Sequence, residues 1–216
     1  MSIKGTCFRA FRSSKCSFYA NETKLNEKRK ACTFVKIIEG DFRVTKIVII
    51  NGANARTSRV NAIQQYISGS CKNTTTIEVF ALPAYDLITA NFASEEIREA
   101  NFAVEQADIV VVLTPIYKAA YSGILKTYLD LIPQKGFENK HIIPIAVGGT
   151  QHHLLAIDYA LKPVFSALGA TSISQGVFIL DKQIERTAQG FMIVDDVKLR
   201  LNQQLFLAEA EPILQT

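Results

Sequence analysis

The segment NGANARTSRVN concentrates side chains that can bind an anion. Arg56 and Arg59 supply guanidinium groups, Ser58 supplies a hydroxyl and Asn61 supplies an amide. A phosphate monoester is bound where such donors converge with backbone N–H groups at the start of a helix. The segment has neither a G-x-G-x-x-G nor a Walker A spacing, so it predicts neither a Rossmann dinucleotide site nor a P-loop. The competing interpretation is a helix N-cap at Ser58 beside solvated arginines.

A second segment, TPIYKAAYSGILKTYLD, can hold a flat ring. Thr114, Pro115, Ile116 and Tyr117 predict a rigid turn, because proline fixes its own backbone and restricts the residue before it. We expect the backbone of this turn to lie along one face of a planar ligand, with Tyr117 and Lys118 closing over it. The alternative is that Tyr117 packs within the protein.

A third segment, VGGTQHH, can approach the same ligand from another side. Gly148 and Gly149 let the backbone come close to a planar group and offer N–H donors, while Thr150 adds a hydroxyl. The adjacent His152 and His153 suggest a metal, but neighbours on a helix point apart and no cysteine or carboxylate stands at ligand spacing. We therefore predict no metal site.

These three segments each follow a stretch of continuous valine and isoleucine, which is typical of parallel strands buried on both faces. The alternation of strands with helical patterns predicts βαβ units. We therefore predict an α/β fold with a flavodoxin-like, doubly wound, five-stranded parallel sheet in the order 2-1-3-4-5. Ligands bind such sheets at the loops after strands 1, 3 and 4. The predicted strands are 45–50, 76–82, 108–114, 141–147 and 172–180, and the predicted helices are 58–70, 94–106, 121–132, 152–168 and 195–210.

The predicted helix over 152–168, HHLLAIDYALKPVFSAL, is apolar nearly all round, with Asp158 and Lys162 as its acidic and basic residues. A helix of this kind must be covered on more than one side, and the sheet covers only one. We expect the other side to be buried in a homo-oligomer, a dimer or a tetramer. Pro163 has no N–H to donate to the carbonyl of Tyr159, so we expect an irregular helix there, which a π-bulge would absorb.

The charge of the chain is concentrated near its N-terminus. Residues 1–43 carry 10 Lys+Arg and 4 Asp+Glu, a net charge of +6, whereas residues 44–216 carry a net charge of −2. This distribution removes the main support for nucleic-acid binding by the folded part. The sequence contains no run of 18 apolar residues, so it predicts no membrane-spanning helix. No apolar core of a secretory signal is present and Cys71 is the sole cysteine after residue 43, so we expect a cytoplasmic protein.

Residues 1–43 show no hydrophobic periodicity. We expect them to be a basic N-terminal extension, disordered or outside the functional domain, which would comprise residues 44–216. The alternative is an organelle transit peptide, because the first 20 residues are rich in arginine, lysine and serine and poor in acids.

The second segment resembles the T-P-x-Y…G-x-L-K…D motif of the NADPH-dependent FMN reductase family. More narrowly, PIYKAAYSGILKTYLDLIP is similar to the reductase component of two-component alkanesulfonate monooxygenase systems. The resemblance implies an NAD(P)H:FMN oxidoreductase that uses NADPH, or NADH, to reduce FMN. It also implies that a flavin-dependent monooxygenase receives the reduced flavin, in sulfur acquisition from organosulfonates.

The resemblance also implies roles for individual residues. In the family, the Gly-Gly-Thr loop, here Gly148, Gly149 and Thr150, lines the edge of the isoalloxazine and can stabilise negative charge there on reduction. The alkanesulfonate-type reductases have a π-helical insertion at their tetramer interface, centred on a tyrosine in an A-x-D-Y-A-L-K-P run. That tyrosine matches Tyr159, which is therefore our candidate for a role in flavin release. The alternative is an interface tyrosine without such a role.

The chain departs from the family pattern after strand 1. Family members often have Gly-Ser there, whereas this chain has Gly52 and Ala53, which removes one hydroxyl from the expected phosphate site. Ala55 stands where the subgroup commonly has a basic residue. Two other functions stay open from the residues: an NAD(P)H quinone or azo-type reductase with tightly bound FMN, and a flavodoxin-type electron carrier. The low net charge of 44–216 disfavours the carrier.

Overall fold

A computed structural model describes residues 45–188 and 190–210 of the 216-residue chain. The predicted extension, residues 1–43, lies outside the described residues. Its separation from a functional domain that begins at residue 44 therefore stays a prediction. Within the described residues, no helix combines the length and the apolar character needed to cross a membrane.

The central element is a parallel sheet. Its strands are β1 Ile47–Asn51, β2 Thr74–Glu78, β3 Ile109–Tyr117, β5 His141–Gly148, β6 Ser172–Ile173 and β7 Val177–Leu180, and a short β4, Ala120–Tyr121, pairs antiparallel with the end of β3. The order across the sheet is β2-β1-β3-β5, with β6 and β7 both pairing with β5 in the last position. Every residue of β1 and β5 is buried, as the unbroken apolar runs predict. The predicted strand order 2-1-3-4-5 is confirmed.

The last strand position differs from the prediction of one continuous strand over 172–180. The chain leaves the sheet between β6 and β7, where Gly176 has a φ of +88°. A Cβ at this glycine would lie 2.6 Å from the carbonyl oxygen of Pro144, so a larger side chain does not fit.

Helices cover both faces of the sheet. They are α1 Val60–Ser70, α2 Ala84–Thr89, α3 Glu95–Glu105, α4 Gly123–Leu129, α5 Lys162–Ala167 and α6 Asp195–Ala210. The bounds of α6 match the prediction, and α1 begins two residues later than predicted. The prediction of a second strand over 76–82 is wrong at its C-terminal end, because β2 ends at Glu78 and a 3₁₀ turn at Val79–Ala81 follows it. Helix α2, which comes next, was not predicted.

Two apolar layers join the helices to the sheet. On one face, Ile63 of α1 and Leu201 of α6 are fully buried against the strands. On the other face, Ile97 of α3, Leu125 of α4 and Phe165 of α5 occupy the equivalent layer. Each buried side chain of this size stabilises the fold by roughly 1.5–3 kcal/mol relative to its exposure. The sheet is therefore held from both sides, which fixes the loops at its ends.

The predicted helix 152–168 is irregular, as expected. It consists of a 3₁₀ turn Gln151–His153, a π-helix Ile157–Leu161 and then α5. Because Pro163 cannot donate an N–H to the carbonyl of Tyr159, the chain widens over the preceding turn. The predicted π-bulge is confirmed.

A two-stranded hairpin beyond β7 was not predicted. Strands β8 Ile184–Thr187 and β9 Gly190–Ile193 pair antiparallel. Ile184 and Ile193 are buried in the same apolar layer as α1. The hairpin is thereby anchored next to the loop that follows β1.

Candidate active site

A cleft with a volume of about 290 Å³ lies at the carboxyl ends of β1, β3 and β5. This is the edge at which doubly wound sheets bind ligands. Its volume is at the lower end of the roughly 300–1,000 Å³ of small-molecule sites. The predicted site residues that line it are Ser58, Arg59, Pro115, Ile116, Tyr117 and Gly148. The predicted residues outside its lining are Arg56, Asn61, Thr114, Lys118, Gly149, Thr150 and Tyr159.

Asn61 organises the first loop from beneath. Its Nδ2 donates to the carbonyl oxygens of Ala55 and Arg56, at 3.0 and 2.7 Å. Its Oδ1 accepts a hydrogen bond of 2.7 Å from Nδ2 of Asn51, which also bonds to Gln64. Asn61 is only 7% exposed, so its hydrogen-bonding groups are occupied by Asn51 and by the carbonyls of the loop. The prediction that Asn61 contacts the ligand is untested, and its role in the structure is to hold the loop.

Ser58 and Arg59 stand at the start of α1. The Oγ of Ser58 accepts a hydrogen bond from the Val60 N–H, at 3.3 Å. Both residues are partly exposed to the cleft. Arg56 is exposed on the same loop but outside the lining. The loop thus presents a hydroxyl and a guanidinium at a helix start, where an anion is favoured.

The turn predicted at residues 114–117 is wrong, because these residues are the last four of β3 and still pair with β5 and β4. The turn follows at Lys118 and Ala119, so the second loop consists of the end of β3 and the turn to β4. The end of β3 forms one wall of the cleft. Pro115, Ile116 and Tyr117 line it, and the Tyr117 side chain is 51% exposed. Lys118 has a φ of 50°, in the left-handed region that non-glycine residues rarely adopt, and it forms the tight turn from β3 to β4. Lys118 is exposed just beyond the wall.

Thr114 stabilises this wall from behind. It is fully buried, its Oγ1 accepts a hydrogen bond from the Ser122 N–H at 3.0 Å, and it donates to the Pro115 carbonyl at 2.9 Å. The Oγ of Ser122 in turn donates to the carbonyl of Gly52, at 2.6 Å. The first and second loops are therefore connected by a buried hydrogen-bond chain. Direct contact of Thr114 with a ligand is untested.

The third loop begins at Gly148, the last residue of β5. A Cβ at Gly148 would lie 2.9 Å from Cζ of Phe178, so a larger side chain here would have to displace the Phe178 ring. Gly149 and Thr150 are exposed and follow directly. The predicted role of their amides stays a prediction.

Two charged residues of the cleft, Asp181 and Arg186, were not predicted from the sequence. Asp181 follows β7, and the rule that ligands lie beyond the carboxyl ends of strands could have identified it. Arg186 lies on β8, whose strand character was not predicted. The Nη2 of Arg186 donates to the carbonyl of Thr57 at 2.9 Å, and Nε of Arg59 donates to the carbonyl of Ile184 at 3.0 Å.

Two tyrosines behind the second loop have raised pKa values. Burial is the main cause for Tyr121, where Lys126 opposes the shift. Burial alone raises the pKa of Tyr128, whose side chain is completely enclosed. Both phenols are therefore neutral at physiological pH. The lining of the cleft includes no histidine or cysteine, and the described residues contain no cluster of metal ligands.

Tyr159 lies apart from the cleft lining. It is the central residue of the π-helix and its side chain is 78% exposed. Leu154 and Leu155, 41% and 57% exposed, precede the π-helix. The side of this segment away from the sheet is thus apolar and uncovered in the single chain. The predicted role of Tyr159 in flavin release is untested.

A doubly wound parallel sheet with a ligand cleft at this edge defines a flavodoxin-like α/β protein. The model of the NADPH-dependent FMN reductase family matches residues 45–185. The chain belongs to this family.

Individual relatives agree with this assignment. The chain is 42% identical over 142 residues to an FMN reductase (NADPH) of Pseudomonas putida KT2440, covering 64% of this chain and 72% of the relative. It is 52% identical over 99 residues to an FMN reductase (NADPH) of Escherichia coli K12, covering 46% of this chain and 52% of the relative. A solved apo structure of the NADH:FMN oxidoreductase EmoB superposes with a TM-score of 0.65 at 30% identity, covering 78% of this chain and 92% of that chain.

The residues of the cleft fit a flavin mononucleotide. One end has the hydroxyl of Ser58 and the guanidinium of Arg59, which suit a phosphate. The adjacent wall, residues 115–117, offers a backbone edge and an exposed aromatic ring to a planar group. The cationic residues and the flat wall line the same cleft, as binding of a molecule with both a phosphate and a planar ring requires.

Proposed function

We propose that this protein reduces FMN with NAD(P)H and releases the reduced flavin to a flavin-dependent monooxygenase. The chain is an NAD(P)H:FMN oxidoreductase by its family. The observation that carries the proposal is the cleft in which a cationic end and a flat wall meet at the carboxyl edge of the sheet.

The protein's own residues would act by binding and orientation. Ser58 and Arg59 would hold the phosphate, and residues 115–117 would support one face of the ring. The Gly148 and Gly149 backbone would lie at the edge of the ring and donate N–H groups to it. When bound, FMN supplies the redox chemistry by accepting a hydride from the nicotinamide. Hydride transfer requires no side-chain acid or base, so these residues would act through position alone.

We infer that a second copy of the chain covers the apolar side of the π-helical segment. Leu155 and Tyr159 expose most of their side chains there, and burying both on assembly would stabilise an oligomer by the hydrophobic effect. This contact surface lies on the helical segment that follows β5, so assembly would restrict the movement of the loop that begins at Gly148. Through this contact, Tyr159 would influence whether flavin leaves.

The oligomer is tested by light scattering after gel filtration. Leu155→Glu would place a charge in the interface and is expected to yield a smaller species. Leu199→Glu is a matched control, because Leu199 on α6 is 58% exposed and lies outside this surface. An L155E variant of unchanged mass, with L199E also unchanged, would contradict the assembly through this helix.

The proposed recipient is a monooxygenase that acts on organosulfonates. The support is the similarity of PIYKAAYSGILKTYLDLIP to the reductases of alkanesulfonate systems and the presence of the π-helix Ile157–Leu161. The test is a coupled assay with a purified alkanesulfonate monooxygenase, NADPH, FMN and an alkanesulfonate, in which sulfite is measured. Sulfite release that requires both proteins supports the proposal.

Release of flavin is tested separately by gel filtration of the protein with FMN. A flavin that is a substrate would be lost from the protein peak, leaving well under one FMN per chain. Retention of about one FMN per chain, together with reduction of quinones or azo dyes without added flavin, would instead favour the quinone or azo-type reductase.

A further inference from the structure

The hairpin β8–β9 contributes to the cleft beside the first loop, to which it is hydrogen-bonded. Its residue Arg186 lines the cleft together with Ser58 and Arg59. The family model ends at residue 185, one residue before this arginine. The hairpin therefore adds a charged group to the site beyond the part of the chain that the family model matches.

Two contacts hold Arg186 in place. Its Nη2 donates to the Thr57 carbonyl at 2.9 Å, and the guanidinium carbon lies 6.0 Å from the centre of the Phe191 ring. Arg59 makes a bond in the opposite direction, from its Nε to the carbonyl of Ile184 on β8, at 3.0 Å. The hairpin and the start of α1 are thus joined by one arginine from each.

Both arginines keep unused donors. A guanidinium has five N–H groups, and each of these two uses one of them on a backbone carbonyl. The ion pairs among the described residues involve neither Arg59 nor Arg186. Asp181 is the acidic residue in the cleft lining. Its Oδ2 lies close to Gly149 of the third loop, because a Cβ added to Gly149 would be 3.7 Å away from it. The end next to Thr57 is therefore cationic.

We propose that Arg186 binds the 5′-phosphate of FMN together with Ser58 and Arg59, an inference that rests on the proposed function. Two guanidiniums and a hydroxyl around one small end of a cleft match a phosphate dianion. The ring wall at residues 115–117 belongs to the same cleft, so one FMN spans both ends.

The test compares flavin affinities of wild-type protein and Arg186→Gln by quenching of flavin fluorescence. Loss of a charge-assisted hydrogen bond is expected to raise the Kd of FMN about tenfold. The Kd of riboflavin, which lacks the phosphate, is expected to change less than twofold. Lys182→Gln is the matched control, because it removes the same charge from an exposed residue just before the same hairpin and outside the cleft lining. K182Q should bind FMN as the wild type does.

A pH series separates phosphate contact from mere support of the loop. The second pKa of a phosphate monoester is about 6, so a direct cationic partner makes FMN bind more tightly as pH rises from 5 to 7.5. This gain should be smaller in R186Q and partly restored in Arg186→Lys, which keeps the charge. If Arg186 only supports the loop and does not contact the phosphate, R186Q should keep the same pH dependence of FMN binding as the wild type. That result would overturn the proposal.

NADPH is the second source of a phosphate monoester, because it carries a 2′-phosphate on its adenosine ribose that NADH lacks. The KM values of NADPH and NADH are therefore measured with saturating FMN in both proteins. A KM of NADPH raised in R186Q, with the KM of NADH and the Kd of FMN unchanged, would assign Arg186 to the 2′-phosphate of NADPH and overturn the assignment to FMN. A Kd of FMN for R186Q within twofold of the wild-type value would also overturn the assignment to FMN. If wild-type protein quenches no flavin fluorescence, the proposed function itself fails.

Discussion

Removing the Asn61 side chain tests how the anion-binding loop is held. In Asn61→Ala, the loop loses two hydrogen bonds to the carbonyls of Ala55 and Arg56, and Asn51 loses one of its two acceptors. The buried Asn51 donor dominates the loss, at about 1–2 kcal/mol, because it has no access to water. Water can replace the bonds to the two exposed loop residues, so each contributes roughly 0.5 kcal/mol.

The expected total is about 2–3 kcal/mol of unfolding free energy. For a domain of this size, that lowers the melting temperature by roughly 4–12 °C. Asn61→Asp separates hydrogen bonding from volume, since it keeps the shape and loses both N–H donors. We expect N61D to be destabilised at least as much as N61A, because its carboxylate would face two carbonyl oxygens.

Urea unfolding followed by circular dichroism measures these changes. Asn54→Ala is the matched control, because Asn54 is an exposed amide of the same loop and its loss should change stability by less than about 0.5 kcal/mol. FMN should bind N61A more weakly than wild type, since the loop is no longer pre-organised. An N61A variant as stable as N54A would refute the account of the loop.

Further predictions concern the walls of the cleft and the core behind them. Gly148→Ala places a Cβ 2.9 Å from the Phe178 ring, and we expect it to lower the unfolding free energy in urea by about 1–3 kcal/mol; an unchanged midpoint would contradict this. Tyr128→Phe removes a buried hydroxyl that has no hydrogen-bond partner among the described residues, so we expect stability at pH 7 to be equal or higher by up to about 1 kcal/mol. Burial raises the pKa of Tyr128, so its neutral form stabilises the fold fully below the unfolded pKa near 10, and this contribution is lost as pH rises above that value. Y128F should therefore lose less stability than wild type between pH 10 and 12; equal losses would contradict the burial of the phenol.

The main features of the fold could be predicted because they follow from local patterns. The unbroken apolar runs of β1, β3 and β5 require burial on both faces, and the missing N–H of Pro163 requires an irregular helix. The break between β6 and β7 depends on the carbonyl of Pro144, which approaches Gly176 only in the folded sheet. The only local sign of this contact in the sequence is the glycine itself, so the break in the strand could not be predicted.

The candidate site could be predicted loop by loop, but its internal bonding could not. Thr114 and Asn61 were predicted as ligand contacts, and in the structure Thr114 lies within β3 and Asn61 within α1, where both bond to the protein itself. Whether a polar side chain faces a ligand or supports the backbone depends on partners that only folding brings together. Ser122, for example, joins the second loop to Gly52, 70 residues away. Arg186 reaches Thr57 across 129 residues, from a hairpin whose short strands have little periodicity.

NADPH oxidation by the purified protein, followed at the nicotinamide absorbance band with increasing FMN, tests whether the flavin is a substrate. We expect oxidation that requires added FMN and saturates with it, because the flavin binds and leaves in each turnover. Oxidation at an unchanged rate without added FMN, or no oxidation at any FMN concentration, would contradict it.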